Sequence, residues 1–597
     1  MKDSFGRQIL ATIIGVLAVG VITSVFSTLF LIMILIAGSG ESQVKVLPSS
    51  VLRIDLSHPI TERTSEEDIN LSGLMPSIPF ISINAPQSGI GILDAVKAVN
   101  AAAFDPNISY IAVTGFCGTT EIAELEELRA ALTEFRKSGK PVIAWGESFS
   151  QADYYLASVA DKVYLAPMSL SAMTGLSSTI MYLKDLLNMV GVNMQLIRHG
   201  KYKSAGEQFI SNRMSEENEE QQTAMLKSVW KTMEKAICES RNISAAHFNS
   251  LVNNLELIST EDFLKHKLID GALSRIEFEK EICVLSGKEN ISEVNVIGLK
   301  NYIAATNAKQ KSAKDKVAIL YADGEIYDGK GEDGIYSSNF VKIIREIRED
   351  DNIKAVVLRV NSPGGSATAA EQIRNELNLL AAEKPLIASY GCYAASGGYW
   401  ISAEAQKIFS DRSCLTGSIG VFALIPSWEY TLRKVRVRPA TVRTHDHADL
   451  MEPSRDLEQV EIEALQRSIE DTYSKFVSIV SNGRNMSRQR VDDLAQGRVW
   501  TGSEAKGIKL VDEIGGLSNA LDYAVVAADL SNGYNVVSYP RLKTFSESLM
   551  EEFLGTASSV KAASDLISDP TQWALNLQRE LGNQNRKTYA LMPYIYL

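Results

Sequence analysis

The feature that most constrains the fold of this chain is an internal duplication. The segment "KPVIAWGESFSQADYYLASVADKVYLAPMSLSAMTG" (140–175) resembles "KPLIASYGCYAASGGYWISAEAQKIFSDRSCLTG" (384–417) after a one-residue and a two-residue adjustment. Two further pairs of segments agree, upstream "ISYIAVTG" (108–115) with "IKAVVLRV" (353–360), and downstream "ISTEDFLKHKLIDG" (258–271) with "WTGSEAKGIKLVDEIGG" (500–516). The sequence therefore predicts two copies of one unit with a period of about 245 residues.

Each copy alternates short β-branched apolar runs, such as "KVAILYADG" and "AVVLRV", with amphipathic helical windows. This alternation predicts βαβ units around a buried parallel sheet, so the fold class is α/β. We place the first copy at 46–300, a polar linker "NAKQKSAKDK" at 307–316 and the second copy at 317–545. Residues 546–597 are predicted to form a polar helical tail. It ends in the apolar "YALMPYIYL", which suits a strand or a contact with a neighbour.

An uncharged apolar run covers residues 9–37. As a helix with about 1.5 Å rise per residue, it exceeds the roughly 30 Å hydrocarbon core of a membrane. It is also longer than the apolar region of a signal peptide, and the "IAGSG" at its end is a poor cleavage site. The sequence therefore predicts an uncleaved transmembrane anchor. Lys2 and Arg7 precede it, which indicates a cytoplasmic segment 1–8 and two copies outside the cytoplasm, although Lys45 and Arg53 follow the span.

Composition excludes several classes of function. The chain of 597 residues has a net charge of −12 and no basic stripe, so nucleic acid is not an expected partner. Five scattered cysteines without CxxC spacing indicate neither a zinc site nor a disulfide scaffold. His445 and His447 have a spacing that would suit a metal if they lay on a strand, but a solvated loop or strand edge is the favoured interpretation. We expect no metal and no other cofactor, since a GxxxxGK[ST] phosphate loop is also missing from the sequence.

Ser396 is the candidate nucleophile. In "ASYGCYAASGGYWIS" (388–402) it follows an apolar run and is surrounded by small residues, as expected for an accessible hydroxyl at a strand-to-helix turn. The pattern is not GxSxG, and a small-residue helix start explains it equally well. Nearby, "RVNSPGGSATAAEQ" (359–372) combines a buried strand end with a Pro-Gly-Gly turn, whose amides could form an oxyanion site or a simple turn.

Comparison between the copies strengthens the case for a serine. We align Ser396 with Ala152 of the first copy, and the glycines after Ser396 with Asp153 and Tyr154, while "NSPGG" becomes "GFCGT". The hydroxyl and the glycine turn are therefore missing together from the first copy, which a packing role for Ser396 would not explain.

A serine nucleophile needs a base. His445 and His447 are candidates, and the first copy offers Lys201 and Lys203 in "RHGKYKSAGEQF" (198–209), where the second copy has no lysine. A lysine base must be neutral near pH 7, which requires its pKa to fall by roughly 2 to 3 units through burial. A solvated loop charge is the alternative for either lysine.

The motifs "RVNSPGGS", "AASGGYWIS", "LTGSIGVF" and "GKYKSAGE" resemble the long, duplicated form of the signal peptide peptidase A family, also called protease IV. The resemblance implies a ClpP/crotonase-like ββα fold in each copy, and a Ser/Lys dyad that degrades remnant signal peptides after signal peptidase has released them. It also implies a homo-oligomer at the bacterial inner membrane, with its bulk on the periplasmic side. Cys392, Tyr393 and Gly206 depart from the family pattern and put substrate preference in question.

By the same resemblance, Ser396 is the nucleophile and Lys203 the general base, while Ser418 holds the lysine amine. Gly365 and Gly397 would supply the oxyanion amides. Two other functions stay open at this point: a serine hydrolase that uses His445 or His447, and a non-catalytic membrane scaffold or CoA-type binder. Ser396 and Lys203 lie in different copies, so we expect one site where two copies of a single chain meet, with several chains associating into a ring or dome.

Overall fold

The computed structural model describes residues 45–64, 89–307, 313–531 and 533–541, together with the backbone of 589–591. The predicted cytoplasmic segment 1–8 and anchor 9–37 lie outside this part, as do the middle of the linker and most of the tail. Within the described part, none of the helices has the length and apolar character needed to cross a membrane.

The first copy contains strands β1–β9 and helices α1–α10. The strands are β1 (Ser50–Asp55), β2 (Ile60–Thr61), β3 (Ile90–Gly91), β4 (Ile108–Thr114), β5 (Val142–Gly146), β6 (Lys162–Leu165), β7 (Asn193–His199), β8 (Gly271–Ala272) and β9 (Val296–Gly298). The helices are α1 (Ile92–Phe104), α2 (Ile122–Arg136), α3 (Gln151–Ala157), α4 (Lys184–Val190), α5 (Glu207–Ile210), α6 (Glu216–Arg241), α7 (Ala245–Asn253), α8 (Thr260–Lys265), α9 (Arg275–Ser286) and α10 (Leu299–Asn307), with a 3₁₀ turn at Ile291–Glu293.

The second copy contains β10–β21 and α11–α18, and β22 follows in the tail. The strands are β10 (Lys316–Asp323), β11 (Ile326–Tyr327), β12 (Ile335–Tyr336), β13 (Ile353–Ser362), β14 (Gly364–Ser366), β15 (Leu386–Ala395), β16 (Lys407–Ser410), β17 (Leu415–Gly417), β18 (Val421–Ser427), β19 (Val499–Thr501), β20 (Glu513–Ile514), β21 (Asn535–Tyr539) and β22 (Tyr589–Leu591). The helices are α11 (Ser337–Glu349), α12 (Ala367–Ala381), α13 (Gly397–Ser402), α14 (Glu429–Lys434), α15 (Gln459–Gly483), α16 (Arg488–Leu494), α17 (Gly502–Gly507) and α18 (Leu517–Ala527).

Both copies contain a parallel sheet with the same strand order. The order is β8-β6-β5-β4-β1-β9 in the first copy, and the pairings of the second give β20-β16-β15-β13-β10-β21. The strands are buried on both faces, as in the run Val317–Ala322, because helices cover each side of a parallel sheet. The predicted α/β class with parallel sheets is therefore confirmed. The predicted linker 307–316 overlaps the last residue of α10 and the first of β10.

The helices follow from ordinary sequence signals. On α11, Phe340, Ile344 and Ile347 recur at helical spacing and are buried, which fixes the face that packs on the sheet. α3 begins with a capping box in which Ser150 and Asp153 satisfy each other's amides. Such local agreement explains why the alternating pattern of the sequence suffices to place most elements.

A third sheet joins the two copies. Its order is β12-β11-β14-β22-β18-β7, and the antiparallel pair β7–β18 brings the first copy's Asn193–His199 against the second copy's Val421–Ser427. β22 lies antiparallel between β14 and β18. The described residues of the tail belong to "YALMPYIYL", which suits a strand or a contact with a neighbour, and they form a strand between the open edges of β14 and β18. The part of the tail that is predicted to be helical lies outside the described residues.

Buried charges also join the copies. Arg359 of β13 is 1% exposed and forms a bidentate pair with Glu62, at 2.6 and 3.1 Å, and a further ion pair with Glu127 at 2.8 Å. Glu126 accepts hydrogen bonds from the amides of Arg412 and Ser413, at 2.8 and 3.1 Å. α2 of the first copy therefore inserts two adjacent carboxylates into the second copy.

Candidate active site

Ser396 lies at the turn between β15 and α13, as the sequence predicts. Its φ is 56° and its ψ −113°, a strained conformation for a residue with a side chain. The Ser396 amide donates to the carbonyl of Gly417 at 2.8 Å, and the residue is fully buried. The turn therefore holds the hydroxyl in one direction at a cost in backbone strain, an arrangement that is common at functional sites.

The glycine turn of β14 packs directly against this serine turn. A Cβ atom added to Gly397 would lie 3.1 Å from both the Gly365 nitrogen and the Gly364 Cα, tighter than side chains normally tolerate. Gly365 has a φ of 154°. The two predicted oxyanion residues are thus neighbours in space, and only the absence of a side chain on Gly397 lets their backbones approach this closely.

The β7–β18 pair delivers the lysine. Its register ends with His199 opposite Val421. Beyond that point the chain runs on from His199 to Lys203 and backward from Val421 to Ser418, so both residues lie at the same end of the pair. This topology explains how two residues 215 positions apart meet.

Lys203 connects the two serines. Its Nζ lies 2.8 Å from Ser396 Oγ, 3.0 Å from Ser418 Oγ and 3.2 Å from the Ser418 carbonyl oxygen. The side chain is 1% exposed, and burial holds the pKa of its ammonium group well below the ordinary value. The structure therefore places a lysine amine of lowered basicity on the hydroxyl of Ser396.

The segment Gln496–Val499 of the second copy supports the lysine from behind. The Tyr202 amide donates to the Gln496 carbonyl at 2.9 Å, and the Ser418 amide to the Arg498 carbonyl at 2.7 Å. Gly497 lies so close that an added Cβ would come within 2.6 Å of the Lys203 Cβ, so a glycine is required there. The sequence motifs did not reveal this segment, because its contribution comes mainly from backbone atoms.

The alternative bases lie elsewhere. Lys201 is exposed, with its ammonium 5.0 Å from the centre of the Tyr202 ring. His445 is exposed beside Thr444, and His447 Nδ1 lies 3.1 Å from Glu461 Oε1. Both histidines occupy a surface segment between α14 and α15, as the solvated-loop interpretation predicts. In the described part of the chain neither makes a hydrogen bond to Ser396.

The structure corrects the alignment of the two turns. Tyr399 donates to the Leu510 carbonyl at 2.8 Å, and Tyr154 makes the same bond to the Leu268 carbonyl at 2.7 Å, so these tyrosines are equivalent. Counting back three residues matches Ser396 with Gln151 rather than Ala152, and the two glycines with Ala152 and Asp153. The first copy still has no hydroxyl at this position, since the neighbouring Ser150 caps α3.

The edges of β14 and β18 flank the serine turn and are joined by β22. Gly364, Gly365 and Ser366 pair with residues 591, 590 and 589, and Phe422 pairs with residue 589. An extended chain therefore fits between these two edges, beside the Gly365 backbone.

A parallel α/β sheet with a strained serine turn and a buried lysine amine defines a class of proteins that use a serine hydroxyl for hydrolysis. Comparison with known proteins agrees. The model of "Peptidase family S49" matches residues 134–279 and 378–531. "Protease 4" of Haemophilus influenzae is 35% identical over 453 residues, which is 73% of this chain and 72% of that protein.

Two further relatives extend the match. "Protease 4" of Salmonella typhi is 33% identical over 522 residues, 84% of each chain. "Serine protease SPPA, chloroplastic" of Arabidopsis thaliana is 29% identical over 488 residues, covering 79% of this chain and 71% of that one. The chain belongs to peptidase family S49 and is a serine protease of that family.

Proposed function

We propose that this chain is a membrane-anchored serine endopeptidase that degrades remnant signal peptides after signal peptidase has released them. Ser396 acts as nucleophile and Lys203 as general base. The observation that carries the proposal is the 2.8 Å contact between a fully buried Lys203 amine and the Ser396 hydroxyl. We further propose that each copy has a ClpP/crotonase-like fold and that the two arose by tandem duplication, a view supported by the shared strand order.

The contacts of Lys203 suit a neutral amine. The structure places Lys203 Nζ within hydrogen-bond distance of three oxygens, the hydroxyl and carbonyl of Ser418 and the hydroxyl of Ser396. A neutral amine has two N–H donors and one lone pair, so it would donate to the two Ser418 oxygens and accept from the Ser396 hydroxyl. Ser418 thus turns the lone pair toward Ser396, which is the orienting role expected for it. Burial holds the pKa of Lys203 well below its ordinary value, which favours this neutral form.

Acylation then follows from this arrangement. Lys203 takes the proton of Ser396 while Oγ bonds to the scissile carbonyl carbon, and the carbonyl π electrons move to its oxygen. The amides of Gly365 and Gly397 would stabilise this oxyanion, since the two backbones are adjacent. The intermediate collapses as the C–N bond breaks, and the Lys203 ammonium gives its proton to the leaving amine.

Deacylation repeats the same proton transfers with water. Lys203, again neutral, takes a proton from the attacking water, whose oxygen bonds to the acyl carbon. The ester bond to Oγ breaks as Lys203 returns the proton to Ser396. The residues of the chain therefore complete the cycle without a cofactor.

The substrate binds as an extended strand between β14 and β18, in the place that β22 occupies in this structure. The pairing of β22 with both edges supports this mode, since the same hydrogen-bonding edges accept a strand of this chain. Main-chain pairing recognises unfolded peptides with little dependence on their sequence, as a protease of varied signal peptides requires.

Cleavage of a signal-sequence peptide by single-residue variants tests the dyad. Ser396→Ala and Lys203→Ala should each lower kcat by roughly 10⁴-fold or more, because nucleophile and base act as one unit. Lys201→Ala and His447→Ala are the matched controls and should stay within a factor of about two to three of the wild type. An active Lys203→Ala together with an inactive His447→Ala would transfer the base to histidine.

Location and assembly need separate tests. Protease added to intact spheroplasts should digest both copies if residues 9–37 anchor the chain with its bulk outside the cytoplasm. Digestion only after lysis would reverse that orientation.

Co-expression of Ser396→Ala and Lys203→Ala chains should give inactive oligomers, since the structure forms the pair within one chain. Recovered activity would show that the site forms between subunits.

A further inference from the structure

We infer that Gln221 is a positioning residue for Lys203, an inference that rests on the proposed Ser396–Lys203 dyad. Gln221 lies on α6 of the first copy and is 1% exposed. Its side-chain amide contacts the residues on both sides of Lys203 and also the second-copy strand that supports Ser418. It therefore fixes the distance between base and nucleophile without touching the reacting atoms.

On the lysine side, Gln221 Nε2 donates to the Tyr202 carbonyl at 2.9 Å and to Ser204 Oγ at 3.1 Å. Tyr202 and Ser204 are the residues immediately before and after Lys203. The segment that carries Lys203 is thereby held at two points, at the backbone of the residue before it and at the side chain of the residue after it, so a shift of this segment would strain buried hydrogen bonds.

On the other side, Gln221 Oε1 accepts from the Val499 amide at 3.3 Å. Val499 pairs with Gly417 in the β17–β19 ladder, and the carbonyl of Arg498 just before it accepts from the Ser418 amide. The same side chain thus connects the backbone that carries the base to the backbone that holds Ser418, the residue that orients the base.

A contact on the same helix provides a matched control. Ser228 Oγ lies 2.6 Å from Thr501 Oγ1 on β19, so it joins α6 to the same strand. It does so seven residues further along the helix and has no contact with the segment that carries Lys203. Substitution of Ser228 therefore measures the effect on activity of a weaker contact between α6 and β19. Substitution of Gln221 measures that effect together with the effect of a more mobile Lys203.

Other charged groups surround the segment that carries Lys203, and the substitution leaves them in place. Arg198 Nη1 donates to the Lys203 carbonyl, Glu220 bonds both the Tyr202 hydroxyl and Arg498, and Glu207 bonds the Ser215 amide and Asn218. A change in the pH dependence of Gln221→Met therefore reports the surroundings of Lys203, since this substitution adds and removes no ionisable group. Gln221→Glu adds a carboxyl group, so it is judged by kcat alone.

The experiment measures kcat, KM and the pH–rate profile of Gln221→Met, Gln221→Glu and Ser228→Ala, with thermal unfolding of each. Gln221→Met has a similar length but no hydrogen-bonding group, and should lower kcat about 10- to 100-fold with little change in KM. The midpoint of its pH–rate profile should rise, because a displaced Lys203 admits water and regains basicity. Gln221→Glu keeps the acceptor for Val499 but loses the donor to Tyr202, and should also lower kcat.

Ser228→Ala should keep kcat and the midpoint of the wild type. If Gln221→Met does not fold, the kcat of Gln221→Glu decides. Wild-type kcat in the folded Gln221 variants, with the wild-type midpoint in Gln221→Met, would overturn the positioning role while Lys203→Ala remains inactive. An active Lys203→Ala would instead overturn the dyad itself, so the two failures are distinguishable.

Discussion

The equivalent turns of the two copies follow the same strand of the sheet but hold different side chains. In the second copy β15 leads into a strained turn that holds the Ser396 hydroxyl against Lys203. In the first copy β5 leads to Gln151, whose side chain accepts from the Thr174 and Gly175 amides, at 2.9 and 2.8 Å, and donates to the Gly175 carbonyl at 2.9 Å. A side-chain amide that is committed to the backbone has replaced the reactive group.

The difference indicates how two copies of one unit would divide the proposed chemical task. The first copy has Gln151 at the position equivalent to Ser396 but supplies Lys203, Gln221 and the buried carboxylates of α2. The second copy supplies Ser396, Ser418 and the glycine turn but no lysine at the equivalent place. Each copy therefore completes the other, and the interface between them is part of the proposed active site.

The strongest test of this division is to return a serine to the first copy. A chain that carries both Gln151→Ser and Ser396→Ala should remain inactive, with kcat still roughly 10⁴-fold or more below that of the wild type. The reason is that, in the described part of the chain, Gln151 faces neither a lysine amine nor a Pro-Gly-Gly turn. Peptide cleavage measured against Ser396→Ala alone decides the matter. Substantial recovery would mean that the first copy retains a working base.

Ser418→Ala tests the second copy's contribution to the base. Ser418 Oγ lies 3.0 Å from Lys203 Nζ, so its removal should lower kcat about 10- to 100-fold. The Ser418 carbonyl still accepts from the amine, so the loss is smaller than that of Lys203→Ala. Steady-state kinetics would measure it, with Ser427→Ala on β18 as a buried-serine control. An unchanged kcat would remove Ser418 from the site.

The buried carboxylates between the copies predict a pH dependence of stability. Burial, followed by the charges of Glu127 and Glu126, raises the pKa of Asp411 well above its ordinary value. A raised carboxyl pKa means that the folded state binds the proton more tightly than the unfolded state. The stability that this proton binding contributes is fully present below the pKa of the unfolded state, and it is lost as pH rises through the pKa of the folded state.

Asp411→Asn removes that titration. At pH 8 its melting temperature should exceed that of the wild type by a few degrees at most, for a chain of this size. At low pH the two melting temperatures should converge. Thermal unfolding between pH 4 and 9 measures the difference. Parallel curves for the two proteins would contradict this account of the interface.

The smallest effect is expected at the first copy's turn itself. Gln151→Ala leaves the Thr174 and Gly175 amides without their side-chain acceptor and should cost about 1 kcal/mol of unfolding free energy. Activity should stay within a factor of about two, because Gln151 lies in the copy without a nucleophile. Chemical denaturation and peptide cleavage measure the two quantities. A large loss of activity would indicate that the first turn influences the second.

The sequence predicted the parts of the fold that rest on local patterns. Alternating apolar runs and capped amphipathic windows placed the parallel sheets, and the glycines around Ser396 placed the strand-to-helix turn. The burial of Lys203 and the exposure of Lys201 were not readable from composition, because both lysines lie in the same short segment. The motif resemblance distinguished them, and their contacts differ in the structure: Lys203 Nζ lies against Ser396 and Ser418, while Lys201 Nζ lies over the Tyr202 ring.

What the sequence could not provide is long-range register. Alignment of the copies placed Ser396 one position away from its true counterpart, because loop insertions shift the apparent match between the sequences. The equivalent hydrogen bonds of Tyr154 and Tyr399 give the correct match. Gln221 and Glu126 are ordinary residues of charged helices in the sequence. Their importance depends on backbone amides some 280 residues away, which no local pattern indicates.

The separation of Lys203 and Ser396 by 193 positions also has a consequence for biosynthesis. A ribosome adds roughly 5–20 residues per second, so the base of the proposed dyad exists for on the order of 10 to 40 seconds before the nucleophile is made. During that time, and in any product of synthesis interrupted before residue 396, the emerging polypeptide has no complete dyad and would be unable to cut itself or its neighbours. The order of the two copies along the chain would thus delay proteolysis until about two thirds of the 597 residues have been made.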